Sequence, residues 1–171
     1  MDSQKKDIII RPARESDALN LLLLKKGYIK GTTSIPLFAD EYKNTAEDEA
    51  ALIERYINED NSILLVAEHD GQLIGNLDLT GNQRKKLYHT GMIGMGIANE
   101  WQNKGVGRLL MKKALQWAEE ASPLTIIWLE VYSTNGGGIR LYEKHGFESC
   151  GLIKNFFMDA DKITMVKYLN L

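Results

Sequence analysis

Gln102-Asn103-Lys104-Gly105-Val106-Gly107 stands between two readable stretches. Met92 to Ile97 upstream is apolar and strand-like. Arg108 to Ala121 downstream has a helical period, with Leu109, Leu110, Ala114, Trp117, Ala118 and Ala121 on one side. A strand that turns through glycines into a helix is a device for holding an anion. The first N–H groups of a helix lack internal partners, and the helix dipole adds positive potential there. Gly105 and Gly107 let the backbone turn tightly and come close to a phosphate. The turn predicts a pyrophosphate grip.

Upstream, Tyr88 to Ile97 carries Gly91, Gly94 and Gly96, so it predicts a strand approached closely by another backbone or packed tightly against a helix. Before it, Ser62–Glu68 and Leu73–Thr80 flank an Asp70-Gly71 turn, a hairpin signal. Leu73, Gly75, Leu77 and Leu79 alternate there against Ile74, Asn76 and Asp78. The N-terminal third predicts a strand over Asp7–Arg11. Its three isoleucines imply burial on both faces or immediate pairing with a neighbour. A helix capped by Ser16 or Asp17 carries Ala18, Leu21, Leu22 and Leu24, and a second one opens at Thr45. Gly27, Gly31 and Pro36 punctuate the stretch between them, yet with Tyr28, Ile35, Leu37, Phe38 and Tyr42 it is too apolar for a solvated linker; it is core or a pocket wall. Downstream come a strand over Thr125–Tyr132 and a short helix capped at Ser133-Thr134-Asn135 and stopped by Gly146. Two closing strands, Phe147–Lys154 and Lys162–Leu169, follow. Helices after the fourth and fifth strands make this an α/β chain with a mixed sheet.

The chain has 171 residues, enough for one domain spanning 1–171, with 44% hydrophobic and 26% charged residues. A net charge of -2 with no long basic run argues against nucleic acid as main partner. One cysteine, Cys150, permits no internal disulfide and fits a reducing compartment; it reads as a core thiol rather than a nucleophile. Met1 to Asp7 is polar and no apolar run would span a bilayer, so the expectation is a cytoplasmic protein with no membrane partner. His69, His89 and His145 are scattered without ligand spacing, so no metal site is expected.

The turn lacks the lysine of a Walker loop and the third glycine of a dinucleotide fingerprint. Gln102-x-x-Gly105-x-Gly107, then Trp128-Leu-Glu-Val-Tyr-Ser-Thr-Asn135 and Leu141-Tyr142-Glu-Lys-His-Gly-Phe147, resembles the GCN5-related N-acetyltransferase (GNAT) family. The motifs look most like the branch holding the ribosomal-protein N-terminal and small-amine acetyltransferases. The resemblance covers most of the chain. It implies a mostly antiparallel mixed sheet of about seven strands with four helices, the fourth and fifth strands splayed. The implied co-substrate is acetyl-coenzyme A (acetyl-CoA). Its pyrophosphate would meet the backbone of Gln102, Asn103, Lys104, Gly105, Val106, Gly107 and Arg108. Lys104 and Arg108 add charge there or point to solvent. The pantetheine arm would lie along Met95, Gly96 and Ile97, where Gly94 and Gly96 would leave room. Asn135 caps a helix, touches the arm, or does both.

The implied reaction is direct acetyl transfer to an amine, a small molecule or a protein N-terminus. Tyr142 matches the family's acid for the departing thiolate; a phenol of pKa about 10 stays protonated at neutral pH. The alternative for Tyr142 is a core aromatic. Glu130, a carboxylate in an apolar strand, matches the branch's base, and Glu100 is a weaker candidate. A backbone N–H near Met95 to Ile97 would meet the carbonyl oxygen. The acceptor pocket is expected from Tyr28–Tyr42 and the Asn155–Asp161 loop. Gly136-Gly137-Gly138 departs from the family and predicts a loose helix start. The family allows a homodimer. The rival function is a coenzyme A-binding sensor without catalysis.

Overall fold

The computed structural model describes residues 7–170; Met1 to Lys6, the bulk of the polar N-terminus, lie outside them. The strands are β1 (Ile8–Pro12), β2 (Ile63–His69), β3 (Gln72–Gly81), β4 (Thr90–Ile97), β5 (Ile126–Tyr132), β6 (Glu148–Phe157) and β7 (Ala160–Tyr168). The helices are α1 (Ala18–Gly31), α2 (Ala46–Asn58), α3 (Val106–Ala121) and α4 (Gly136–Lys144). One seven-stranded sheet runs in the order β1-β2-β3-β4-β5-β7-β6. Every neighbouring pair is antiparallel except β4–β5, which is parallel because α3 carries the chain from one to the other.

Period-two alternation divides the side chains between two faces. Leu77, Leu79, Ile93, Ile127 and Leu129 pack under α3 and α4 against Leu110, Met111, Ala114 and Phe147. On the other side, α1 and α2 bury Leu21, Leu24, Ile53 and Tyr56 against Leu64 and Val66. Covering both faces buries the polar row of β3 as well. Asn76 is 2% exposed and accepts a hydrogen bond from the Tyr28 hydroxyl at 2.8 Å. Glu49 is fully buried beneath α1, where Lys25 at 2.8 Å and the Tyr42 hydroxyl hold it.

β1 is the sheet edge and pairs with β2, so of the two readings of its isoleucines pairing holds, and Ile9 is left half exposed. Other elements differ from the sequence expectation. Asp17 starts α1 without capping it, because its carboxylate is taken by Arg11 at 2.7 Å and by the Arg14 N–H. α1 continues through Gly27 to Gly31. Gly27 is exposed and costs only propensity, while Tyr28 and Ile29 are buried by the continuing turn. The region Asn155–Asp161 is a β6–β7 hairpin end rather than a loop; only Met158 and Asp159 lie between the strands. Cys150 sits exposed on β6 and is not a core thiol. Thr45 does cap α2, with its hydroxyl accepting from Asp48 N–H at 3.2 Å.

Candidate active site

β4 and β5 pair through only three residues each, Thr90–Met92 with Ile126–Trp128. Beyond that they part, as the resemblance implies. Backbone N–H groups alternate in direction along a strand. Ala98 N–H bonds Ile74 on the β3 side at 2.9 Å. By alternation, Gly96 and Gly94 point the same way, and Met95 and Ile97 point their N–H groups into the gap.

At the far end of the gap is the start of α3. Gly105 has φ 85°, a left-handed conformation that favours glycine. The first intrahelical bond is Leu109 N–H to Gly105 C=O, 3.3 Å. Val106, Gly107 and Arg108 are therefore the orphan N–H groups of the first turn. Gly107 packs so closely that a Cβ would come within 3.1 Å of Leu141 and 3.4 Å of Met95. That contact brings α3, α4 and β4 to one place. A cleft of about 350 Å³ results, lined by Met95, Gly96, Ile97, Gln102, Asn103, Gly105, Val106, Gly107, Arg108, Asn135 and Tyr142. Ten of the eleven residues expected to contact the donor therefore share one cleft. Lys104 is the exception: its ammonium lies over Trp101, 5.2 Å from the ring centroid. The Gln102 amide reaches the Ile97 carbonyl at 3.4 Å and so ties the turn to β4.

Asn135 accepts from Gly138 N–H at 3.0 Å while lining the cleft, so it caps α4 and borders the gap together. With that cap, α4 begins at Gly136 despite its glycines. At Gly96 the reading of tight packing against a helix holds: a Cβ there would fall 2.1 Å from the Tyr28 ring of α1. A Cβ on Gly94 would fall 2.9 Å from the Asp78 carboxylate, so both glycines make room for side chains on the α1–α2 face.

Tyr142 and Glu130 flank the gap from opposite faces. Tyr142 belongs to the α3–α4 core and meets Phe147 edge-on, with centroids 6.1 Å apart. Burial pushes its phenol up to about 12. Glu130 is exposed on the other face, where Lys162 donates to its Oε1 at 3.0 Å. The Lys162 ammonium also lies 3.9 Å from the Phe156 ring centroid. Phe157 stacks on Tyr132 at 3.7 Å. The end of the β6–β7 hairpin thus walls the Glu130 side, and Thr32, Ser34 and Ile35 border the cleft from the end of α1. Tyr42 faces inward to Glu49 instead. Glu100 is exposed in the turn before Trp101.

Residues 32–147 match the Acetyltransferase (GNAT) family model. The chain belongs to the GNAT family. It is similar to the L-amino acid N-acetyltransferase AaaT of Escherichia coli K12, 30% identical over 109 residues, covering 60% of this chain and 67% of that one. It is also 26% identical over 100 residues to the ribosomal protein bS18-alanine N-acetyltransferase of Salmonella typhimurium, covering 54% and 67%. A GNAT-family acetyltransferase structure from Streptococcus pneumoniae superposes with a TM-score of 0.93 at 28% identity, over 96% of this chain and 100% of the other. As a GNAT member the chain is an acetyl-CoA-dependent N-acetyltransferase. The cleft fits that donor: orphan N–H groups for phosphate at the α3 start, and a strand edge open to an extended arm. Among the described residues no group of three His, Cys, Asp or Glu is placed for a metal, and no helix is long and apolar enough to cross a membrane.

Asp78, Lys162 and Trp128 are not singled out from the sequence as site residues, while Tyr28 enters only as part of the expected pocket wall. The signal for Asp78 and Tyr28 is the glycine opposite each: a strand glycine can mark a large or charged partner across the pleat. Lys162 lies diagonally from Glu130 across the β5–β7 register, where Glu130 faces Thr164 and Tyr132 faces Lys162.

Proposed function

We propose that this GNAT enzyme transfers acetyl directly from acetyl-CoA to a primary amine, on a small molecule or at a peptide N-terminus. Tyr142 serves as acid and Glu130 as base. The observation that carries the reading is their position on opposite faces of the β4–β5 gap. Acetyl-CoA, when bound, supplies the reactive thioester. Val106, Gly107 and Arg108 N–H groups receive the pyrophosphate, and Asn103, Gly105 and Gln102 shape the turn around it. Met95 and Ile97 present N–H groups to the arm and to the carbonyl oxygen as it gains charge. Across the reaction an N–C bond forms and the C–S bond breaks. The amine proton leaves through Glu130, directly or by water, and Tyr142 O–H gives its proton to the departing sulfur. A phenol pushed up to about 12 stays protonated through the neutral range and loses its proton only in strong alkali.

A lysine-type amine of pKa about 10.4 is neutral only about once in 2,500 molecules at pH 7, and an α-amine near 7.8 roughly once in seven. An α-amine therefore asks less of Glu130. The reading takes the chain as one acetyltransferase domain. It includes a cytoplasmic location, supported by the single cysteine. The test is turnover against an amine and peptide panel. Tyr142→Phe should lower kcat by about 100- to 10,000-fold with little change in acetyl-CoA affinity. Glu130→Gln should remove the acidic limb of the kcat/KM profile. Undiminished turnover in the first, or an unchanged limb in the second, removes that residue from the mechanism. Tight donor binding with no transfer to any amine would point to a sensor instead.

A further inference from the structure

On the face of the sheet that carries Glu130, a second cavity of about 370 Å³ lies where β4 and β5 still pair. Its lining includes Asp78, Thr80, Asn82, Met92, Gly94 and Trp128. Asp78 is its only charged group. The carboxylate leans over Gly94, since a Cβ there would be 2.9 Å from Asp78 Oδ1. Gly94 is the β4 residue that would face Glu130 if the Met92–Trp128 register continued. Asp78 and Glu130 therefore flank β4 on one face, one on the strand at each side of it.

The nearby cations are engaged elsewhere. Lys25 is paired with Glu49 at 2.8 Å, and Arg55 lies 3.8 Å from Glu59 and over the Tyr56 ring. Among the described residues no ion pair reaches Asp78. Burial raises its carboxyl to about 6, with Lys25, Thr80 and Arg55 pulling the other way. At neutral pH it is a half-buried carboxylate on the cavity wall with no ion-pair partner in contact among the described residues. Trp128 adds an aromatic surface, which attracts a cation over its face. A carboxylate and an indole in one cavity suit an ammonium or guanidinium group.

We propose that this cavity is a recognition subsite for a second, non-reacting cationic group of the acceptor. The acceptor class is then an amine carrying a second positive charge a short chain away. Asp78 is the specificity-determining residue. The inference rests on the proposed use of the Glu130 face for the acceptor.

Calorimetric binding to the full chain separates the two. The probes are 1,5-diaminopentane and 5-amino-1-pentanol, equal in length and differing by one charge. The wild-type protein should bind the diamine at least about tenfold tighter, a difference that fades with added salt. Asp78→Asn should bring the two affinities to within about threefold. The wild-type comparison needs no variant. Equal wild-type affinities, or a preference that survives Asp78→Asn, overturns the subsite. Acetyl transfer to both probes without discrimination also overturns the subsite and leaves the proposed reaction standing. A diamine preference in binding without transfer to either probe supports the subsite and counts against that reaction.

Discussion

Asp78 carries a cost that can be measured apart from any acceptor. Its carboxyl is raised from 3.8 to about 6 by burial. A raised carboxyl disfavours the ionised form in the folded state. The penalty is absent below the unfolded value, grows between about pH 4 and 6, and is complete above that. Asp78→Asn should therefore stabilise the protein at pH 7.5, by on the order of 2 kcal/mol, and give no gain at pH 4. Melting curves of both proteins across this range check the sign. A gain independent of pH would mean that the carboxylate is not the source. Tyr142 differs in kind: its shift keeps it neutral through the working range, so it adds no pH dependence to stability near neutrality.

The two glycines Gly96 and Gly105 show what the elements demand of single positions. Gly105→Ala places a Cβ at φ 85°, at a cost of about 1–2 kcal/mol, and should weaken acetyl-CoA binding as the α3 start shifts. Gly96→Ala meets the Tyr28 ring, whose hydroxyl is pinned to Asn76, so the ring has little freedom to move. Overpacking of this kind costs about 1–3 kcal/mol, and chemical denaturation should show it as a lower midpoint with unchanged slope. Much at this scale was legible in the sequence. The hairpin, α3 and the turn before it are strong local signals, and their motif context led to the splayed strands. What was not legible depended on the opposite layer. Asn76 and Asp78 alternate with leucines like a solvated face, and only the packing of the helices on that face buries Asn76 and half-buries Asp78. Gly27 and Gly31 read as breakers because the burial of Tyr28 and Ile29 that overrides them is tertiary. Cys150 read as core because β6 was not known to be the outer strand.

At the scale of the whole molecule the sheet is two half-sheets, β1–β4 and β5–β7, held together by three residue pairs at one end of the β4–β5 gap. On one face the α3–α4 core takes side chains from both halves and so bridges the seam, while on the other α1 and α2 pack on β2, β3 and β4. The interior of the sheet therefore contains two unpaired strand edges. This has a signature in isotope exchange. Amides in the middle of a seven-stranded sheet ordinarily keep their protium until large parts of the fold open. Met95 and Ile97 should break that pattern. In the protein alone they should take up deuterium on the time scale of surface loops, while Gly94 and Gly96, one residue away and bonded to β3, stay protected. Acetyl-CoA should slow Met95 and Ile97 selectively. The donor would then be recorded as one more strand of the sheet, visible residue by residue as protection that comes and goes with the ligand.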